Sequence, residues 1–177
     1  MLDYQSTPKR FAVDLVLMHE GGLAETEGDP GGITNWGISL KAYPALGREG
    51  IRRLTRDDAV SIYERDYWAP IRGDDLPSVP AIVMMDAGVN CGPGRAIQWL
   101  RQAVGFEPNG DLEIGEQVLR ATQAAALDVA QRVTVSRLWR YDTLIQQHPP
   151  LIKFLRGWRR RVIETLAQAV IYGERNR

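Results

Sequence analysis

Two carboxylates stand nine residues apart in unlike settings. Glu20 belongs to His19-Glu20-Gly21-Gly22, and Asp29 to Gly28-Asp29-Pro30-Gly31-Gly32-Ile33-Thr34-Asn35-Trp36-Gly37-Ile38. Glu20 closes an apolar run in which Phe11, Leu15 and Met18 fall at helical spacing, widened by Val13, Val16 and Leu17. A carboxyl at the end of such a helix is partly desolvated, which raises its pKa and keeps it protonated nearer neutral pH. Asp29 lies among glycines, in wetter surroundings, and is expected to stay ionised. Carboxyls in unlike environments can divide the work of cleaving a glycosidic bond, one giving the proton and the other serving as base or charge stabiliser. The glycines let backbone come close to a sugar, and Thr34 is a candidate to hold a water or bond a carboxylate. The same residues also read as plain punctuation: a glutamate before Gly-Gly at a helix end, and an Asp-Pro-Gly-Gly turn.

Other side chains carry weaker signals. Asp86 and Asn90 are four apart and share a helix face, so they either reach a cleft and bind sugar groups or cap backbone in the core. Among Trp36, Tyr63, Tyr67 and Trp68, aromatics at helical spacing favour the core, and Trp36, in the glycine-rich stretch, is the better sugar contact. His19 has no His-Glu-x-x-His partner, and the other histidine, His148, precedes Pro-Pro, so no metal site is expected. Two histidines offer no base beside a motif-borne serine or cysteine, which argues against a nucleophilic triad. Cys91, alone, excludes an intramolecular disulfide and reads as a small buried residue.

The elements that must position these residues are mostly helical. Residues 21–37 hold six glycines and one proline and show no helical period, which predicts a loop with a short hairpin. Thr55 and Asp58 resemble a capping box, and Ala59, Ile62, Tyr63 and Tyr67 mark one face of a helix ending near Trp68-Ala69-Pro70. Core helices are predicted over 81–90 and 94–104, then two long helical stretches over 115–147, with a break, and 150–172. The last carries the stripe Leu151, Leu155, Trp158, Val162, Leu166 and Ala169. The length of 177 residues fits one compact domain, and 44% hydrophobic with 25% charged residues is an ordinary globular composition. Net charge is zero, but residues 1–131 hold 12 Lys+Arg against 19 Asp+Glu and residues 132–177 hold 10 against 3. The basic end, including Arg159-Arg160-Arg161, reads either as a surface for an anionic polymer or as a solvated helix face. Overall neutrality argues against nucleic acid as a partner. No apolar run approaches the ~20 residues of a membrane span, and the polar start from Met1 to Arg10 lacks the apolar stretch of a signal peptide. Synthesis in the cytoplasm is therefore expected, with any action elsewhere needing a separate exit route.

The block His19-Glu20-Gly21-Gly22 followed by Asp29-Pro30-Gly31-Gly32-Ile33-Thr34-Asn35-Trp36-Gly37-Ile38-Ser39 resembles the signature of glycoside hydrolase family 108. These are lysozyme-like N-acetylmuramidases, found as phage endolysins and secretion activator proteins. Asp86-Ala87-Gly88-Val89-Asn90-Cys91-Gly92-Pro93-Gly94-Arg95-Ala96 is similar to that family's helix after the catalytic lobe. Residues 96–122, with Asn109-Gly110-Asp111 and Gly115, resemble its C-terminal predicted peptidoglycan-binding region, and Phe154 to Arg161 resembles its closing Gly-Trp-x-x-Arg helix. The resemblance implies a mainly α, lysozyme-like fold: a helical bundle lobe plus a small loop and β-hairpin lobe carrying the active site. A catalytic region at 8–93 and a helical region at 94–177 would pack as one unit. It implies Glu20 as catalytic acid with Asp29 and Thr34 beside it, although Thr34 is not quite at the offset seen in phage-type lysozymes. Trp36, Asn35, Asp86 and Asn90 are the expected substrate contacts. Leu23 stands where family members often carry an aromatic. The implied activity is cleavage of the β-1,4 bond between N-acetylmuramic acid and N-acetylglucosamine in peptidoglycan. It implies no cofactor, a monomer without stable membrane insertion, release to the wall or periplasm, and a holin or export system as a partner. The rivals are a lytic transglycosylase and a non-catalytic wall-binding or phage structural protein; Glu20, Asp29 and Thr34 together disfavour the second.

Overall fold

The computed structural model describes residues 2–25, 32–107 and 111–177. Asp29, Asn109 and Gly110 lie outside them, so the roles expected of Asp29 and of the turn at 109–111 are not placed.

Helix α1 (Pro8–Glu20) starts where the sequence has its signals: the Thr7 hydroxyl accepts the Arg10 N–H and Pro8 occupies the first turn. Gly21, at φ +75°, stops it directly after Glu20. Phe11, Ala12, Val13, Leu15, Val16 and Leu17 are buried. Met18 is exposed instead, because the covered stripe ends before the helix does. Three short strands follow, β1 (Ala24–Glu25), β2 (Ile33–Asn35) and β3 (Ile38–Ser39), antiparallel in the order β1-β2-β3. Thr34 pairs with Ala24 on one side and Ser39 on the other.

Helix α2 (Gly47–Arg53) has no counterpart in the sequence reading; it is seven residues long and begins on glycine, too short and too weak for a periodic signal. Helix α3 (Arg56–Tyr63) opens on the Thr55–Asp58 capping box and continues as a π-helical segment, Glu64–Trp68. Helix α4 (Ser78–Cys91) runs through the centre, with every residue from Pro80 to Gly88 buried. It packs against α1, α5 (Pro93–Ala103), α7 (Ala126–Gln147) and α8 (Ile152–Arg175). Helix α6 (Glu116–Ala124) precedes α7, and the break expected within 115–147 falls at Ala125. Among the described residues no helix is long and apolar enough to cross a membrane.

Candidate active site

Glu20 sits where three parts of the chain meet: the end of α1, the turn between β2 and β3, and α8. The turn is Trp36-Gly37, joining the paired residues Asn35 and Ile38. Both turn residues have positive φ, +54° and +78°, as a two-residue type I′ hairpin demands. Glycine is required at the second place for space as well: a Cβ on Gly37 would lie 2.7 Å from Glu20 Cγ and 2.8 Å from Glu20 Cβ. The unusual backbone of Trp36 is tied down at both ends. Its indole N–H donates to the Leu54 carbonyl at 3.1 Å, and its own carbonyl accepts the buried Tyr63 hydroxyl at 2.9 Å. Burial, together with the nearby Glu20 carboxylate, drives the Tyr63 phenol well above its ordinary pKa, so it remains a donor.

The opposite side of Glu20 is ionic. Arg161 Nη1, from α8, donates to Glu20 Oε1 at 2.6 Å. The same guanidinium donates through Nε to Asp86 Oδ1 at 2.8 Å, and its Nη2 lies 2.7 Å from that oxygen as a Coulombic contact. Asp86 is fully buried, and its Oδ2 takes Arg137 Nη1 at 2.6 Å and the Thr165 hydroxyl at 3.1 Å. Arg137 Nε donates to the Tyr141 hydroxyl at 2.8 Å, which donates to Asn90 Oδ1 at 2.6 Å. Burial alone would raise Asp86; the two guanidiniums together outweigh it and hold the carboxyl at about 2. Beside this cluster His19 has a buried Nε2 without a hydrogen-bond partner, and burial lowers its pKa. Arg137 Nη2 and Arg161 Nη2 are likewise buried and without a hydrogen bond.

The predicted site residues therefore fall into different roles. Glu20 keeps an open edge, its side chain being 22% exposed, but its neighbour is a guanidinium rather than the apolar wall expected from the sequence. Thr34 lies half-buried in β2, on the strand face opposite the buried Ile33 and Asn35. Asn35 corrects an expectation: its amide is buried and donates to the carbonyls of Ile51, Arg52 and Leu54, closing the C-terminal end of α2 instead of facing a sugar. Asp86 is a second correction, because a carboxylate with no solvent-facing edge and three polar side chains on it, Arg137, Arg161 and Thr165, has nothing left for substrate. Asn90, at the exposed end of α4, engages Tyr141. Trp36 retains a half-exposed ring. Trp68 and Tyr63 are core, and Trp68 donates to Asp74 at 2.9 Å.

Arg161 was missed as a site residue, and a signal for it existed. Trp158, Arg161, Thr165 and Ala169 fall at helical spacing along the inward stripe of α8, so an arginine there has to point into the protein. It is also the final residue of the Gly157-Trp158-Arg159-Arg160-Arg161 block. Arg159 and Arg160 point outward and pair with Asp142 and Glu164.

Residues 13–92 match the family model for glycosyl hydrolase 108. That span contains Glu20, the hairpin and Asp86, and stops short of Arg137 and Arg161. The chain is also similar to a solved structure described as "Structure of Brucella abortus SagA", with 29% sequence identity and a TM-score of 0.78. The similarity covers 93% of this chain and 95% of that one, so it reaches beyond residues 13–92 into α7 and α8. No curated protein matches the sequence. The mainly helical architecture with a small antiparallel sheet is a lysozyme-like one.

Proposed function

We propose that this protein is a peptidoglycan hydrolase that cuts the β-1,4 bond between N-acetylmuramic acid and N-acetylglucosamine, with Glu20 as general acid. The observation that carries this reading is the placement of Glu20: a partly open carboxyl at a helix end, gripped by a hairpin turn, inside the span that matches glycosyl hydrolase 108. Arg161 holds Oε1, which leaves Oε2 to carry the proton. That proton passes to the glycosidic oxygen, which keeps the electron pair of its bond to the anomeric carbon as that bond breaks. Asp29 is the proposed second carboxylate, positioning water or stabilising the oxocarbenium-like transition state, and Thr34 and Trp36 are proposed to face substrate.

Replacing Glu20 by Gln keeps the shape and removes the transferable proton. Hydrolysis of purified peptidoglycan is expected to fall by at least ~10²-fold in a folded Glu20→Gln protein; near-native activity would overturn the assignment. Mass spectrometry of the wild-type products is expected to show reducing N-acetylmuramic acid ends. Products with 1,6-anhydro ends would identify a lytic transglycosylase, and no released fragments from several wall types would identify a binding protein.

A further inference from the structure

The buried charge cluster does more than fill the interior. It contains two carboxylates, Glu20 and Asp86, and two guanidiniums, Arg137 and Arg161, joined in one chain of contacts. Each link limits the next. The Tyr141 hydroxyl fixes Arg137 Nε, Arg137 and Thr165 fix Asp86 Oδ2, and Asp86 Oδ1 fixes Arg161 Nε. A guanidinium is planar, so the Nε–H bond to Asp86, with Nη2 drawn close to the same oxygen by charge, sets the direction of the third nitrogen, Nη1. That nitrogen points at Glu20.

We infer that Arg161 is a positioning residue for the acid, held in place by Asp86, and that it stabilises the Glu20 carboxylate formed as the proton leaves. The inference rests on Glu20 being the general acid. In its acid form Glu20 carries no charge, and Arg161 then faces one carboxylate, Asp86. As the proton moves to the glycosidic oxygen, negative charge grows on Glu20 within 2.6 Å of Arg161 Nη1. The attraction is thus stronger in the transition state than in the ground state, which is the condition for an interaction to raise kcat rather than only lower KM. The donor is preorganised, since Asp86 is fully buried and the Arg161 side chain only 13% exposed. The titratable or charged groups around the pair are His19 on α1, Tyr63 on α3, Asp86 on α4, Arg137 on α7 and Glu164 on α8. The site therefore needs α7 and α8, and residues 13–92 would not carry it alone.

The test uses the full chain acting on purified peptidoglycan, with kcat, KM and the pH–rate profile recorded for each variant. In Arg161→Gln, kcat is expected to fall about 10²-fold with KM little changed. The alkaline limb of the rate profile is expected to move to higher pH, because a nearby cation has been removed. Arg161→Lys guards against misfolding: it keeps a cation for Asp86 but cannot fork between two carboxylates. It should hold the limb near the wild-type position and still lose about 10-fold in kcat. A folded Arg161→Gln with wild-type kcat or an unmoved alkaline limb overturns the inference, as does Arg161→Lys with wild-type kcat. Either result leaves the acid assignment standing if Glu20→Gln is inactive. Activity in Glu20→Gln defeats that assignment whatever the arginine variants do.

Discussion

The hairpin and the α4–α7–α8 cluster hold the same carboxyl by different physics. On the hairpin side the contacts are steric and backbone-borne: Gly37 lies against the methylenes of Glu20, and the Tyr63 hydroxyl pins the carbonyl of Trp36. On the helical side they are ionic and desolvated, running from Arg161 through Asp86 to Arg137. The hairpin fixes where the carboxyl sits, and the cluster fixes the field it feels. Shape of the first kind is local in sequence, since Glu20 and Gly37 are 17 residues apart, whereas the counter-charge arrives from 141 residues away.

Asp86 is the anchor of the ionic side. Asp86→Ala leaves Arg137 as an uncompensated buried charge and takes from Arg161 one of its two carboxylates, and losing one partner of such a cluster costs about 3–5 kcal/mol. Denaturant unfolding should show that loss with an unchanged slope. A loss under about 1 kcal/mol would mean that water reaches the guanidiniums and that the field at Glu20 is not set there. Next comes the steric side. Gly37→Ala meets a left-handed backbone, about 1–2 kcal/mol, and a methyl group driven against Glu20 adds an overpacking cost of about 1–3 kcal/mol. Activity should fall by more than stability explains, because the turn must move away from the acid. Assaying well below the unfolding midpoint separates the two effects, and full activity there would show that the turn does not position Glu20.

A third prediction uses protons in place of mutations. The folded Asp86 carboxyl, held at about 2, lies below the ordinary value of 3.8. Its contribution is fully present above pH 3.8 and is lost as pH falls toward 2. His19, lowered by burial from 6.5, acts in the same direction at higher pH: the unfolded chain takes the proton first, so stability begins to drop below pH 6.5. Unfolding free energy measured from pH 8 to 2 should decline in two stages, and His19→Gln should abolish only the upper one. A single decline confined to pH below 4 in the wild type would mean that the His19 ring is hydrated.

The helical frame was legible because its signals are local. The Thr55–Asp58 box, the Gly21 stop after Glu20 and the inward stripe of α8 each depend on residues within a turn or two. The acid itself was legible from its motif. Three features were not. Helix α2 is shorter than the window over which a period can be recognised. The burial of Asn35 depends on α2, and an amide that closes a helix end looks in sequence like one that binds a sugar. The guanidinium on Glu20 is a pairing across 141 residues, and no local pattern states which buried carboxylate a buried arginine will meet. The apolar run before Glu20 suggested desolvation as the force acting on it, and that inference was incomplete because α8 was not yet in place.

Arg159, Arg160 and Arg161 are consecutive, yet helical geometry sends the first two outward and only the third to the acid. Arg160 pairs with Glu164 at 2.8 Å on the solvent face, where water screens both charges and the pair contributes little. Arg160→Gln should therefore leave the thermal midpoint and the pH–rate profile of wall hydrolysis unchanged, in contrast to its neighbour. If the outer face instead captures an anionic wall polymer, the same substitution would weaken binding to peptidoglycan, most visibly at low salt, while the pH profile stays in place. A shifted profile would be the damaging result. It would mean that the field at Glu20 is set by the whole basic segment and not by one buried guanidinium, and the division between a steric side and an ionic side would no longer hold.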